Sequence, residues 1–279
     1  MSLGKRKKIL GKVVLLLATL GLFVVYIYPF ILVVINSFKS RAEVMRNPMA
    51  LPESFGFDNF ISAFNTMNFP TAFLNSLVIS TASLVILVIF PAMLAYFLAR
   101  WNWKINRIIF LVLVLSMMVP FQVVMLPLVI IYGSFFGVLD SQATLIFAYL
   151  GFGVAQSTFL CHGFIKGIPK ELEEAAAVDG ASKIRVFFQV VFPMLKPITS
   201  TVAILNILWI WNDYLLPSLV LTSPGNRTIP LSTFAFFGRF TTEFGVAMAA
   251  LLLAVLPIII FYLFLQKHII KGIVQGAIK

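Results

Sequence analysis

The chain has 279 residues, of which 61% are hydrophobic and only 11% are charged. Soluble domains are roughly 45–50% apolar and about 25% charged, and the mean hydropathy here is +1.02. These values exclude a disordered chain and argue against a soluble enzyme. The formal net charge is +11. In so apolar a chain we interpret the basic residues as marking the cytoplasmic ends of membrane spans, not a nucleic-acid surface.

Six long runs that are almost free of charge predict membrane-spanning helices, each of which needs about 20 apolar residues. They lie near residues 13–35, 73–99, 108–132, 143–164, 197–221 and 244–265, and only the fifth contains a charge, Asp213. The first run is too long for a signal-peptide core and no small-residue cleavage site follows it, so we expect it to be retained. The sequence therefore predicts an all-α integral membrane protein with a single transmembrane domain over residues 1–279.

The distribution of Lys and Arg predicts the orientation. Sixteen of the 21 lie in the N-terminal tail, in the connections after the second and fourth spans, and in the C-terminal tail, whereas five lie in the remaining connections. Because cytoplasmic segments carry the excess of basic residues, both termini and the 166–196 connection are predicted to be cytoplasmic. The external connection 38–71 is long enough for a short surface helix, and 223–242 contains the turn signal Pro224-Gly225. The single cysteine, Cys161, is expected to be buried.

The 166–196 connection predicts a short helix with an acidic start. Pro169 suits a first helical position, and Glu171, Glu173 and Glu174 suit the positive end of a helix dipole. Three alanines favour the helix that follows, and Asp179-Gly180 favours a left-handed stop. We expect a helix of about ten residues with a small, smooth surface that another protein can approach closely.

A second helix is predicted after Ser182, which suits an N-cap. Ile184, Phe187, Phe188 and Val191 have helical spacing and predict one apolar face. Pro193 and Pro197 then redirect the chain into the fifth span. The connection is thus predicted to hold a short helix across the cytoplasmic surface, braced by an amphipathic one.

These motifs resemble the signature loop of the membrane subunits of ATP-binding-cassette importers, in particular the carbohydrate-uptake subfamily of the maltose-importer second-permease type. The similarity extends over nearly the whole chain. The residues that carry it are Asn36-Ser37-Phe38-Lys39, Met117-Met118-Val119-Pro120, Glu174-Ala175-Ala176, Asp179-Gly180, Pro193, Trp211-Asn212-Asp213, Gly272 and Gly276-Ala277.

The resemblance implies a permease domain whose 166–196 loop carries a coupling helix that sits in a cleft of an ATPase subunit. The implied coupling residues are Glu174, Ala175, Ala176, Asp179 and Gly180. The implied partners are a second permease, two cytoplasmic ATPases, an external solute-binding protein, a sugar or oligosaccharide, and membrane lipid. The implied location is the inner or plasma membrane of a prokaryotic cell, crossed several times.

No Gly-x-x-x-x-Gly-Lys-Ser/Thr phosphate loop occurs in the sequence. The chain is therefore expected to hold no cofactor and to be no enzyme, with ATP and Mg bound by the partner ATPase. His162 and His268 lie far apart without nearby carboxylates, so no metal site is expected.

Asp213 is costly inside a membrane, by roughly 2.5–3.5 kcal/mol at mid-span. It is expected either to face a wet cavity or partner helix, or to fix helix packing through a hydrogen bond. Trp211 and Asn212 beside it suit a polyol surface, which Asn206 could share. These four residues are the candidate substrate pathway.

Three alternatives remain open from sequence. An ion-coupled secondary transporter would need intramembrane carboxylates, of which only Asp213 is available, and no internal repeat of the kind common in such transporters is visible. A structural or assembly protein of the membrane would not need the acidic, alanine-rich loop. An importer permease could also serve another solute, such as a polyol or glycerol phosphate.

Overall fold

The computed structural model describes residues 3–236 and 243–277, and within these ranges the regular secondary structure is helical and includes no β-strand. Arg239 and Lys279, which contribute to the charge asymmetry, lie outside the described residues, as does the end of the 223–242 connection. The helices are α1 (Leu3–Asn36), α2 (Arg41–Arg46), α3 (Asp58–Thr66), α4 (Phe69–Arg100), α5 (Lys104–Ser116), α6 (Phe121–Val129), α7 (Gln142–Ile165), α8 (Glu171–Val178), α9 (Lys183–Val186), α10 (Phe192–Met194), α11 (Lys196–Asn212), α12 (Leu215–Val220), α13 (Ile229–Thr233) and α14 (Phe244–Ala277).

Three unbroken helices within these ranges are long and apolar enough to cross a membrane: Gly11–Asn36, Phe69–Arg100 and Gln142–Ile165. Two further candidates are bent pairs, one of 98° at the break between α5 and α6 and one of 78° between α10 and α11. Phe244–Ile260 is a shorter apolar helix. The prediction of an all-α chain with several apolar spans is confirmed, whereas the count of six spans stays a prediction.

Breaks in the predicted spans have local causes. In the third run, α5 ends at Ser116 and α6 begins after Pro120, whose ψ of 136° is extended. In the fifth run, α11 ends at Asn212 because Asp213 is extended, with ψ 130°. By contrast, Pro29 and Pro91 lie inside unbroken helices, so a proline within an apolar run does not by itself predict a break.

The chain forms two compact units, Met1–Asn68 with Thr233–Pro257, and Phe69–Ser232 with Ile258–Lys279. The prediction of one domain over residues 1–279 stays a prediction. In the second unit α4 packs along α7, and α11 contacts both. One hydrophobic cluster joins the last turns of α4 and α7 to the segment before α11; its members include Ala92, Ala95, Tyr96, Cys161, Ile165, Val186, Phe187, Val191 and Leu195. Cys161 is buried, as predicted.

Asp140 ties the turn before α7 to the turn after α12. Its carboxylate accepts hydrogen bonds from the Thr222 amide at 3.0 Å, from the Ser223 amide at 2.9 Å and from the Ser223 hydroxyl. The Asn226 side chain donates to the Asp140 carbonyl at 2.8 Å. The Ser223 hydroxyl and amide hold the pKa of the Asp140 carboxyl well below its usual range. The turn after α12 is therefore a fixed structure and not a loose connection.

The lowered pKa of Asp140 predicts a pH-dependent contribution to stability. A carboxyl whose pKa is depressed by folding stabilises the native state above its unfolded pKa, about 3.9, and loses that contribution as the pH falls through the folded value. We expect D140N to lower the Tm of the detergent-solubilised protein at pH 7. The difference from wild type should shrink below about pH 4. A difference that is the same at pH 7 and pH 3.5 would contradict this account.

In the first unit, the predicted external connection folds into α2 and α3. Ser40 and Glu43 form a capping box at the start of α2, and the Ser40 hydroxyl is the main cause that lowers the pKa of Glu43 to about 2. Lys39 is buried, and its ammonium donates to the carbonyls of Asn47 and Pro48 at 3.1 and 3.2 Å. The expectation of a short helix in this connection is confirmed, with two helices where one was expected; that either lies on a membrane surface stays a prediction.

Candidate functional site

The predicted short helix with an acidic start is α8, which spans Glu171–Val178 and is thus eight residues long instead of about ten. The prediction that Pro169 occupies the first helical position is wrong, because Lys170 is the N-cap and Pro169 lies before it. Gly180 adopts a φ of +82°, which glycine tolerates best. The amide of Gly180 donates to the Ala177 carbonyl and that of Ala181 to the Ala176 carbonyl, both at 3.0 Å. These two bonds form the Schellman stop, so the prediction of a glycine-terminated helix is confirmed.

The two sides of α8 differ in chemistry. Ala176 is half-buried and packs against the hydrophobic cluster at the end of α4. Glu174 and Ala175 are exposed on the other side, together with Val178, whose exposed fraction is 88%. We call Glu174, Ala175 and Val178 the outer face of α8. Of the two alanines proposed for close approach, only Ala175 lies on this face, and Val178 is an apolar member that the sequence analysis missed.

The inner side of α8 carries an ion pair that the sequence analysis also missed. The Glu173 carboxylate accepts from Arg100 Nε at 2.7 Å and lies 2.6 Å from Arg100 Nη2, while its other oxygen accepts from the Tyr96 hydroxyl at 2.8 Å. The side chains of Arg100 and Glu173 are only 8% and 13% exposed. From sequence, Glu173 is indistinguishable from its acidic neighbours. The available signal is the position of Arg100 directly after a long uncharged run.

The segment after α8 begins as predicted, because the Ser182 hydroxyl accepts from the Arg185 amide. The predicted apolar face is only half right: Phe187 and Val191 are buried, but Ile184 and Phe188 are 69% and 43% exposed. A π-helical turn over Phe187–Val191 is the cause. Its wider i→i+5 spacing aligns Val186 with Val191, and Val186 is buried in place of Ile184.

A cleft of about 250 Å³ lies between α8 and the ends of α4 and α9. The Lys183 ammonium covers one wall of it, 5.1 Å from the centre of the Trp101 ring. Lys170 and Glu174 line its rim. The acidic start of α8 therefore lies beside two lysines, and the cleft carries charges of both signs.

The four candidate pathway residues do not share one face of α11. Asn206 is buried and donates to the Ser157 hydroxyl of α7 at 3.1 Å. Trp211 is buried and packs edge to face on Phe73 of α4, with ring centroids 6.1 Å apart. Asn212 is exposed, and its side-chain amide donates to the Leu208 carbonyl at 2.7 Å. Asn206 and Trp211 contribute to helix packing, and their role as substrate contacts stays a prediction.

Asp213 lies half-buried where α11 ends. One carboxylate oxygen accepts from the Tyr149 hydroxyl at 3.0 Å, and the other accepts from the Leu215 amide at 2.9 Å. Tyr149 is fully buried in α7. Of the two interpretations left open by the sequence, this geometry favours a hydrogen bond that fixes helix packing.

We therefore expect D213A and D213N to differ. D213A leaves the buried Tyr149 hydroxyl without its acceptor and should lower the free energy of unfolding by about 1–3 kcal/mol. D213N keeps an acceptor for the Leu215 amide and a partner for Tyr149, so stability and transport should stay close to wild type. Thermal unfolding and uptake measured on both variants check this expectation. Abolished transport in a stable D213N protein would favour a charge-dependent role, as in an ion-coupled transporter.

Comparison with known proteins identifies the family. A family model described as binding-protein-dependent transport system inner membrane component matches residues 90–275. The chain is 42% identical over 274 residues to a probable starch degradation products transport system permease protein of Thermoanaerobacterium thermosulfurigenes, covering 98% of this chain and 99% of that one. It is 35% identical over 269 residues to a multiple sugar-binding transport system permease protein of Streptococcus mutans serotype c, covering 94% and 95%.

The same relationship extends to the fold. The crystal structure of a bacterial ABC transporter involved in the import of the acidic polysaccharide alginate contains a chain that matches with a TM-score of 0.78 at 23% identity, over 96% of this chain and 98% of that chain. The resemblance drawn from the loop motifs is confirmed. This chain belongs to the family of binding-protein-dependent transport system inner membrane components, the permease subunits of such importers.

Proposed function

We propose that the chain forms half of the translocation pathway of an ATP-driven importer for a sugar or oligosaccharide and couples it to a cytoplasmic ATPase. The observation that supports the proposal is the structure of α8. It is short, it is stopped by a left-handed glycine, and its outer face is exposed while its inner side is anchored by an ion pair. An exposed valine beside an alanine and a carboxylate suits a protein partner better than water. The names of the two relatives above support a carbohydrate as the solute.

The proposed partners are a second permease, two ATPase subunits that bind ATP and Mg, and an external solute-binding protein. One chain of a bacterial alginate ABC transporter matches this chain with a TM-score of 0.67 at 18% identity, over 93% of each chain, and that transporter is in complex with an alginate pentasaccharide-bound periplasmic protein. That complex supports the last of these partners. The proposed topology has six spans in a prokaryotic cell membrane, with both termini in the cytoplasm. The charge asymmetry and the candidate spans support that arrangement.

The proposed mechanism is alternating access. Closure of the ATPase pair on ATP pushes the two coupling helices of the permease pair together, and the cavity opens outward to receive the solute. Hydrolysis returns the complex to the inward-facing state. In this cycle Glu174, Ala175, Asp179 and Gly180 meet the ATPase, while Ala176 supports α8 from beneath.

Gentle solubilisation from native membranes followed by mass spectrometry tests the proposal. We expect an ATPase with a phosphate loop and a second multi-span permease to copurify. A copurifying binding protein should then bind starch-derived oligosaccharides in preference to glycerol phosphate. Recovery of the chain alone or as a homo-oligomer, under conditions that preserve other membrane complexes, would overturn the proposal.

A further inference from the structure

One guanidinium group holds the connection before α8 and the helix itself. Arg100 is the last residue of α4. Its Nη2 donates to the Ile168 carbonyl at 2.9 Å, and its Nε donates to the Glu173 carboxylate at 2.7 Å. Ile168 precedes α8 and Glu173 lies in its first turn, so both are fixed to the same end of α4.

Tyr96 adds a second attachment one turn earlier in α4. Its hydroxyl donates to the Glu173 carboxylate, and its ring packs on Phe187 with centroids 5.3 Å apart. Phe187 lies in the segment after α8. The end of α4 therefore contacts the chain before α8, within α8 and after it.

These contacts are rigid for physical reasons. A guanidinium has a planar, fixed arrangement of donors, which makes its pairing with a carboxylate directional. Arg100 and Glu173 are almost fully shielded from water, so separating them would leave a buried charge without a partner. An exposed ion pair, by contrast, contributes little to stability and constrains little.

We propose that Arg100, Glu173 and Tyr96 are positioning residues that make α8 and α4 move as one rigid body, so that a displacement of α8 is passed directly to α4. The proposal rests on the proposed function, in which an ATPase displaces α8. Because α4 packs along α7 and against α11, movement at α8 reaches the helices of the second unit through α4. Without this link, α8 is held by its chain connections and by the packing of Ala176 on the hydrophobic cluster, neither of which is as directional as the ion pair.

Distances between spin labels in the purified transporter complex test the rigid link. One label is placed at the start of α8 (E171C) and one near the far end of α4 (L74C), both of which are exposed positions. The native Cys161 is buried, so it does not compete for the label. Distances are measured without nucleotide and after trapping with ATP and vanadate.

With the wild-type residues at 96, 100 and 173, we expect one narrow distance distribution that is the same in both states. In the E173Q and R100Q backgrounds it should broaden by about twofold or more and shift on trapping. The double variant should broaden the distribution by less than the sum of the two single variants, because the ion pair between Arg100 and Glu173 is already lost in either one. The matched control is K170Q, which removes a neighbouring charge at the exposed rim of the cleft and should leave the distribution narrow.

Several outcomes would overturn the rigid link. One is a change of the label-to-label distance on trapping in the protein that keeps the wild-type residues at 96, 100 and 173. Another is a distance distribution as narrow as this one in both E173Q and R100Q. Broadening in K170Q equal to that in E173Q would do the same. If a variant folds poorly, Y96F replaces it, since it removes only the hydroxyl donor and should still broaden the distribution. If no ATPase copurifies, the proposed function fails, but the nucleotide-free distributions still decide whether α8 and α4 are rigidly joined.

Discussion

The V178D variant should insert into the membrane normally but lose its ATPase. Val178 is the most exposed large apolar side chain of α8, at 88% exposure, and it lies on the same face as Glu174 and Ala175. Burying a valine at an interface contributes roughly 1.5–3 kcal/mol. Replacing it with a carboxylate removes that contribution and adds the cost of burying a charge beside Asp179. Since about 1.4 kcal/mol corresponds to a tenfold change in affinity, we expect the amount of copurified ATPase to fall at least about tenfold.

The control for this prediction is I184D. Ile184 is also an exposed apolar residue, 69% exposed, but it lies beyond Gly180 and outside α8. The same apolar-to-acidic change should therefore leave ATPase binding close to wild type. V178I, which keeps the apolar surface, should also bind normally. Wild-type ATPase binding by V178D, at equal membrane insertion, would show that the outer face of α8 is not the coupling surface.

The acidic first turn and the glycine stop of α8 could be predicted from sequence because they depend on neighbouring residues only, although the helix begins two residues after Pro169. Acidic residues at the start and a glycine at the stop act on the backbone within one turn, and the structure confirms both. The difference between Glu173 and Glu174 could not be predicted in this way. It arises from Arg100, 73 residues earlier in the chain, and this distance is bridged only when α4 and α7 pack together.

The amphipathic face after α8 shows a second limit. The spacing of Ile184 and Phe188 fits an ideal α-helix, but the chain forms a π-helical turn that changes which residues align. Periodicity carries no signal for such a turn. The burial of Val186 therefore could not be predicted from the spacing of apolar residues.

Hydropathy predicts apolar helices but not their breaks or their polar contacts. The charge of Asp213 makes it unusual within an apolar run, whereas its partner Tyr149 lies 64 residues away and carries no such signal. The candidate pathway on α11 rests on residue chemistry alone. In α11, Asn206 and Trp211 are buried and Asn212 is exposed. Residue types that suit sugar binding therefore do not by themselves identify a single binding surface.

A second large effect is expected at Gly245, near the start of α14, where the G245A variant should fold poorly. A Cβ atom built on Gly245 would overlap the carbonyl oxygen of Lys39 and lie 2.6 Å from the Asn59 side-chain nitrogen. That nitrogen donates to the carbonyls of Ser37 and Lys39 at 2.8 and 2.9 Å. The alanine methyl group would therefore push the backbone of Lys39 away and break the hydrogen bonds that Asn59 makes to it. Lys39 is itself buried and cannot move aside without exposing the carbonyls that its ammonium binds.

Because the obstacle is backbone rather than a flexible side chain, we expect G245A to cost several kcal/mol, at or above the usual 1–3 kcal/mol for overpacking. The measurement is the yield and Tm of the detergent-solubilised protein, compared with G21A. Gly21 lies in α1 of the same unit and has no atom within 4 Å of its would-be Cβ, so an alanine there should be neutral or slightly stabilising through helix propensity. Equal yield and Tm in G245A and G21A would mean that α14 does not approach Lys39 and Asn59 this closely. A selective loss in G245A would show that the start of α14 is packed directly on the segment that follows α1.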